Sequence, residues 1–132
     1  MTIGLTCCSS ACMTPKAKAL QLRTRAFFVR VSRFCESLPR TDAARRVVPQ
    51  PIDAAGSTSS NYNDACRARS KKEFIAKIGL CVEEASESLE WLLSLKDANI
   101  GSSQERDELI DEADQLTAIF TASQKTARRG NP

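Results

Sequence analysis

Apolar residues recur at three- and four-residue steps along several stretches of this chain, and this spacing predicts helices that each bury one face. The first stretch covers residues 16–38. Pro39 should end this helix, because a proline disfavours the α conformation in the residue before it. The apolar face on one side of this helix comprises Leu20, Phe27, Val31, Phe34, Cys35 and Leu38.

A second helix is expected to begin at Thr41 or Asp42, two residues that suit a helix N-cap. Prolines follow at positions 49 and 51, and a proline in a helix interior costs about 3 kcal/mol because it removes a hydrogen bond and clashes one turn back. We therefore expect a break or a sharp kink there, with the helix resuming from Ile52. Residues 55–60 are a poor helix former, since most of them are Ser, Thr or Gly.

The third helix is expected over residues 71–96 and the fourth over residues 103–127, joined by a polar turn that contains Gly101. Ser70 and Glu73 have the Ser-x-x-Glu spacing of a capping box, and Ser102 and Glu105 repeat it. The stripe of the third helix comprises Phe74, Ile78, Cys81, Val82, Ala85, Leu89, Leu92 and Leu93. The inner face of the fourth comprises Leu109, Ala113, Leu116, Ile119 and Phe120.

Short connections between helices of similar length predict antiparallel neighbours, so we expect an all-α fold, an up-and-down antiparallel four-helix bundle. The bundle domain should span residues 16–128. Residues 1–15 are small, polar and aperiodic, which predicts a disordered N-terminal extension, and residues 129–132 should form a frayed C-terminus. No apolar run approaches the ~18 residues of a membrane span, so we expect no membrane contact. Residues 1–15 have no basic region and no sustained apolar core of a secretory signal, so we expect a cytoplasmic protein.

The chain contains no histidine, which removes the ordinary general base that a Ser or Cys nucleophile needs. Of the six cysteines, those at positions 35, 66 and 81 fall within helical patterns, where a thiol acts as a small hydrophobe. Those at positions 7, 8 and 12 have no fourth ligand at a spacing typical of zinc sites. The carboxylates on the third and fourth helices lack the Glu-x-x-His partners of a di-iron site. We predict no catalytic residue, no metal, no cofactor and no enzymatic activity.

Charge divides the chain unevenly, because residues 1–70 carry a net +7 and residues 71–132 a net −4. Gathered on one surface, the basic side chains can bind phosphates; alternatively, they form a solvated face and salt bridges with the acidic helices. Trp91 and Leu95 make an apolar edge beside the main stripe, which suits a subunit interface or a half-buried position in one protomer. The candidate nucleic-acid-binding residues are Arg23, Arg30, Arg33, Arg45, Arg46, Arg67, Arg69, Lys71 and Lys72.

Several blocks of the sequence, in order, resemble one known family. They cover residues 33–39, 61–74, 75–79, 84–92 and 112–120. The family is that of the small four helix bundle proteins encoded in intervening sequences of bacterial 23S rRNA genes, which are related to the accessory proteins of diversity-generating retroelements. The resemblance implies a homo-oligomer, typically a pentamer. For the retroelement relatives it also implies RNA or DNA and a reverse transcriptase as partners. Pro51 departs from the family's continuous second helix.

These observations favour a non-catalytic homo-oligomeric bundle that serves as a nucleic-acid or ribonucleoprotein accessory protein or scaffold. The alternative is a purely structural oligomer or a protein-interaction module without nucleic-acid binding, in which the charge asymmetry only holds helices or subunits together. Salt-dependent binding to generic RNA or DNA distinguishes the two.

Overall fold

The computed structural model describes residues 13–130, and helices cover 85% of them, with no strand in that range. The prediction of an all-α four-helix bundle is confirmed. Residues 1–12 and 131–132, and with them most of the predicted disordered extension, lie outside the described residues. The helices are α1 (Pro15–Glu36), α2 (Asp42–Val47), α3 (Pro49–Cys66), α4 (Lys71–Asp97) and α5 (Ser103–Arg129), and α2 and α3 together form the second leg of the bundle.

Each leg packs against the next one along the chain, and α1 also contacts α5, so the four legs close into a bundle. Contacts between neighbours join the start of one helix to the end of the next, as an up-and-down topology requires. Between α4 and α5, Lys71 contacts Gly130 at one end and Lys96 lies 3.8 Å from Asp107 at the other. The C-terminal end of α1 lies beside the α4–α5 turn, since Phe34 packs against Gly101.

The interior is a single apolar cluster to which all four legs contribute. Tyr62 and Phe120 join α3 to α5 there, with their ring centroids 5.6 Å apart. The predicted inner faces of α1 and α5 are confirmed except for Leu20 and Ile119, which are only partly buried. Two threonines, Thr24 and Thr58, are fully buried as well, and each hydroxyl donates to a backbone carbonyl of its own helix.

The predicted interruption of the second leg is confirmed, but the prediction that helix resumes only at Ile52 is wrong. α2 ends at Val47, and α3 begins at Pro49 with Pro51 still in its first turn. The first N–H groups of a helix have no acceptor within it, so a proline at these positions removes no hydrogen bond. Val48 keeps helical dihedral angles between the two helices. Residues 55–60 are helical despite their composition, because Ala55 and Thr58 are buried against the neighbouring legs.

The sequence suggested N-cap side chains at three helix starts, and two of them make the expected capping hydrogen bond. Thr41 accepts from the Ala44 amide at 3.1 Å, and Ser70 accepts from the Glu73 amide at 3.0 Å. The capping box predicted at Ser102 is wrong, because the Ser102 hydroxyl makes no capping hydrogen bond. The first helix has a cap that was not predicted, Thr14, which places the end of the predicted disordered extension inside the fold.

The buried face of α4 differs from the predicted stripe. Ser88 and Leu95 are 0% and 1% exposed, while Leu93 is only partly buried. Ser88 tolerates burial because its hydroxyl donates to the Glu84 carbonyl at 2.9 Å. The prediction that Leu95 offers an apolar edge to a neighbouring subunit is wrong, since Leu95 belongs to the core of the single chain. Trp91 is half-buried and remains the outward member of that pair.

The turn between α4 and α5 is a Schellman motif held by a buried arginine. Asn99 has a φ of 58°, and the Ile100 amide donates to the Leu95 carbonyl at 2.9 Å. Gly101 follows with a φ of 93° and lies against Phe34. Arg106, 4% exposed, donates through Nη1 to the Ile100 carbonyl at 3.0 Å and the Gly101 carbonyl at 3.2 Å. The turn is therefore fixed from inside the bundle.

Two buried thiols and a buried tyrosine hydroxyl should make the fold less stable at alkaline pH. Burial raises the pKa of the Cys35 thiol to about 11 and that of Cys81 to about 12, and it raises the pKa of Tyr62 as well. In the unfolded chain a thiol ionises near pH 8.5. Above this pH the folded state holds more protons than the unfolded state, so the free energy of unfolding falls as pH rises from about 8.5 toward 12. Each group contributes a loss of up to about 1.4 kcal/mol per pH unit, and below about pH 8.5 its contribution is fully present.

Urea unfolding in a reducing buffer at several pH values from about 7.5 to 10.5 measures this loss. The variant Cys81→Ala, which has one such group fewer, should show a shallower decline than the unmodified chain. An unfolding free energy that stays constant across this range would contradict the prediction.

Candidate nucleic-acid interface

The structure separates the nine predicted phosphate-binding residues into three groups. Arg23 is occupied within the chain: its Nε donates to Glu112 Oε2 at 2.7 Å, and its Nη2 donates to Glu112 Oε1 and to Gln115 Oε1, both at 2.8 Å. The hydrogen bond to Glu112 raises the pKa of Arg23, against the opposing effect of burial. Arg30 lies 3.5 Å from Glu108. Both pairs join α1 to α5, which is the intrachain attraction that the charge asymmetry predicted.

A second group lies at the end of the bundle that contains the α4–α5 turn. Arg33 is exposed in the last turn of α1, and Arg45 and Arg46 are exposed on α2. Arg45 pairs with Asp42 on the same helix. Acidic side chains surround this group, because α5 begins here with Glu105, Asp107 and Glu108. This end, which we call the mixed end, therefore carries both charges in comparable number.

The third group lies at the opposite end, where α3 ends, α4 begins and α5 ends. We call this surface the basic end; it comprises Arg67, Arg69, Lys71, Lys72, Arg128 and Arg129. All six side chains are exposed. The Lys71 ammonium donates to the Gly130 carbonyl at 2.6 Å, which fixes the start of α4 against the end of α5. With α4 about 40 Å long, the basic end lies far from the mixed end.

Only part of this positive charge is neutralised within the chain. Arg67 pairs with Asp64 at 2.9 Å, and the same carboxylate lies 3.6 Å from Lys77. Glu73 accepts from the Arg69 amide at 3.3 Å and so remains near the arginine. Among residues 13–130, the side chains of Lys72, Arg128 and Arg129 have no ion pair within 4.0 Å. The basic end therefore presents uncompensated positive charge to solvent.

Arg128 and Arg129 belong to this surface, although they were not among the nine predicted phosphate-binding residues. They lie in the last turn of α5, which continues to Arg129 and is capped by Gly130. Their position at the negative end of a helix dipole was visible in the sequence, but their neighbours were not. Proximity to Lys71 and Lys72 depends on the register of α4 against α5, which only the folded chain reveals.

The surface suits phosphate binding without base recognition. Lysine and arginine neutralise phosphates and release counterions, which gives affinity that falls with salt. No aromatic side chain is among the six residues, so the basic end offers no platform on which bases would stack. Within the described residues, no group of three or more His, Cys, Asp or Glu side chains is arranged to hold a metal ion. Cys7, Cys8 and Cys12, considered for zinc, lie outside those residues.

The fold and this surface define a class of protein, an all-α four-helix bundle with a positively charged end. A family model described as 23S rRNA-intervening sequence protein matches residues 18–122, and the chain belongs to that family. No curated protein and no solved structure matches the chain at a significant level. Among residues 13–130, no helix combines the length and the hydropathy that a membrane span requires.

Proposed function

We propose that this chain is a non-catalytic, homo-oligomeric accessory protein that binds RNA or DNA through its basic end. The observation that carries the proposal is the convergence of six exposed Lys and Arg residues from three helix termini, held together by the contact between Lys71 and Gly130. Phosphate contacts of this kind provide affinity without sequence preference. The absence of histidine from the sequence supports a role in binding, since the ordinary general base for a Ser or Cys nucleophile is missing.

Membership of the 23S rRNA-intervening sequence family is compatible with a nucleic-acid partner. Arg23 and Arg30, which the sequence suggested, are not part of the proposed interface because they are engaged with Glu112 and Glu108. Self-association would repeat the basic end in every subunit and so raise the affinity for a long polyanion. The family resemblance implies five subunits.

Reversal of charge at the basic end tests the proposal. The double variant Arg128→Glu with Arg129→Glu should weaken binding to a labelled single-stranded RNA and to duplex DNA by at least about tenfold, with a shallower dependence on salt. Fluorescence anisotropy at about 50 and 200 mM salt measures both quantities.

The matched control is Arg45→Glu with Arg46→Glu, which makes the same change of net charge at the mixed end. It should weaken binding by no more than about twofold, the effect of net charge alone. Equal losses in the two double variants would exclude the basic end as the interface. Absence of salt-dependent binding in the unmodified chain would favour the alternative, a purely structural oligomer.

A further inference from the structure

The outer side of α1 carries an apolar seam that no other part of residues 13–130 covers. Leu22 is 56% exposed and Val29 is 37% exposed, and they are two of three large hydrophobic side chains exposed among the described residues. Together with Ala19 and Ala26, which are also exposed, they have the alternating three- and four-residue spacing of a coiled-coil seam. The side of α1 that faces the core carries a different set, which includes Phe27 and Phe34.

Basic side chains border this seam. Lys18, Arg25 and Arg33 are exposed, and among residues 13–130 none of the three has an ion pair within 4.0 Å. Arg33 falls on the line of the seam itself, four residues after Val29. We call this surface, from Lys18 to Arg33, the α1 outer face.

The third exposed hydrophobic residue, Leu80, lies on the outer side of α4 and is 38% exposed. Trp91, half-buried, follows eleven residues later, which is close to three helical turns, so both lie on one line along the helix. Glu84 and Glu87 lie between them. Burial raises the pKa of Glu84, and the neighbouring charges of Glu87 and Glu83 raise it further. This surface, from Leu80 to Trp91, is the α4 outer face.

The two outer faces point away from each other. α1 packs mainly against α3 and α5, and α4 packs against the same two helices, so α1 and α4 occupy opposite corners of the bundle. In an up-and-down bundle these two legs run in the same direction. A neighbouring copy related by rotation about an axis along the bundle would therefore bring its α4 alongside this α1 in parallel.

We propose that the α1 outer face of one copy of this chain binds the α4 outer face of a second copy. The α5 side chains that contact Arg23 and Lys96 place Trp91 about level with Thr24 along the bundle. Trp91 would therefore pack between Leu22 and Val29, and Lys18 and Arg25 would face Glu84 and Glu87. The two surfaces differ, so the contact is heterologous, and its repetition closes a ring or extends a filament. The inference rests on the self-association in the proposed function and specifies the surfaces that perform it.

Charge decides against the simplest rival arrangement. A symmetric pairing of two α1 outer faces would also cover Leu22 and Val29, but it would bring Arg25 and Arg33 of both copies together. Pairing with α4 replaces that repulsion by attraction to the carboxylates of Glu84 and Glu87. The opposite charges of the two faces therefore favour contact between α1 of one copy and α4 of the next over contact between two copies of α1.

Two charge-reversed variants of the full chain test the arrangement without nucleic acid. Lys18→Glu with Arg25→Glu places carboxylates on the α1 outer face, and Glu84→Arg with Glu87→Arg places arginines on the α4 outer face. Sedimentation at tens of micromolar, about where weak assemblies still form, should show an oligomer for the unmodified chain. Each variant alone should sediment as a 14.5 kDa monomer, and an equimolar mixture should associate again.

Further variants make the result specific. Leu22→Glu with Val29→Glu should also abolish association while circular dichroism stays helical, because both side chains are exposed in the protomer. Ala118→Glu with Ala122→Glu, at exposed positions of α5, and Arg128→Glu with Arg129→Glu, at the basic end, should both leave the oligomer intact.

The outcomes distinguish the proposals. A monomeric unmodified chain would overturn self-association and this interface together, whatever its affinity for RNA. An oligomer that survives all the α1 and α4 variants would overturn this interface alone. Loss of association only in the α1 variants would indicate the symmetric pairing of two α1 outer faces and would overturn the role of α4. Loss of RNA binding in the basic-end variant tests the proposed function separately.

Discussion

Replacing Gly101 by alanine is expected to lower the free energy of unfolding by about 2–5 kcal/mol. Gly101 has a φ of 93°, a conformation that side chains with a Cβ rarely adopt. A Cβ there would lie 2.6 Å from Phe34 Cζ and 2.8 Å from Leu38 Cδ2. Phe34 is fully buried and cannot withdraw, so strain of about 1–2 kcal/mol adds to an overpacking cost of about 1–3 kcal/mol.

Gly79→Ala is the matched control, because it adds the same methyl group in the middle of a helix. The new Cβ would lie 2.8 Å from Gln124 Nε2, the end of a flexible side chain that can move away. Alanine also has a better helix propensity, by about 1 kcal/mol, so this variant should be neutral or slightly stabilised. Urea denaturation of both variants measures the difference, and equal stabilities would contradict the role assigned to Gly101.

Sequence periodicity was sufficient to predict the four legs, because the buried positions of α1 and α5 are mostly large and apolar. It was insufficient on α4, where Ser88 lies in the middle of the buried face. A serine there interrupts the apolar pattern, so Leu95, seven residues further on, was assigned to a separate outer edge. Nothing in the residue types shows that the Ser88 hydroxyl is satisfied by the Glu84 carbonyl.

The segment that contains Pro49 and Pro51 shows a different limit of prediction from sequence. Helix-interior rules correctly predicted an interruption near Pro49, but the cost of a proline depends on its place within the helix. Once α3 begins at Pro49, both prolines occupy the first turn, where their missing N–H groups matter little. The choice between a break before Pro49 and one after Pro51 depends on packing, since Pro51 is buried in the bundle.

The candidate interface was only partly visible in the sequence. Arg67, Arg69, Lys71 and Lys72 are close along the chain, so a local count of charge was enough to select them. Arg128 and Arg129 join them through the antiparallel register of α4 and α5. Arg23 was selected by the same count, but it pairs with Glu112, a partner 89 residues away. Charge alone cannot distinguish an arginine that is exposed to a ligand from one that is engaged across the bundle.

Arg106 was missed entirely, and its removal should have an effect comparable with that of Gly101→Ala. Arg106→Ala is expected to lower the free energy of unfolding by about 2–4 kcal/mol. The Ile100 and Gly101 carbonyls would lose a charged donor, and each charge-assisted bond contributes about 1.5–3 kcal/mol. These two bonds hold the guanidinium, while its Nε makes no hydrogen bond and lies 4.0 Å from Asp107 Oδ1.

Arg106→Met separates the hydrogen bonds from the packing of the side-chain stem. Methionine fills similar space with a flexible apolar chain but donates no hydrogen bond. The variant should therefore regain the stability that depends on packing and still lack the stability that depends on the two hydrogen bonds. Hydrogen exchange should then show faster exchange for the Ile100 amide, which donates to Leu95 in the Schellman motif, than in the unmodified chain. Full stability in the methionine variant would mean that Arg106 acts through its stem alone and that the turn does not depend on its guanidinium.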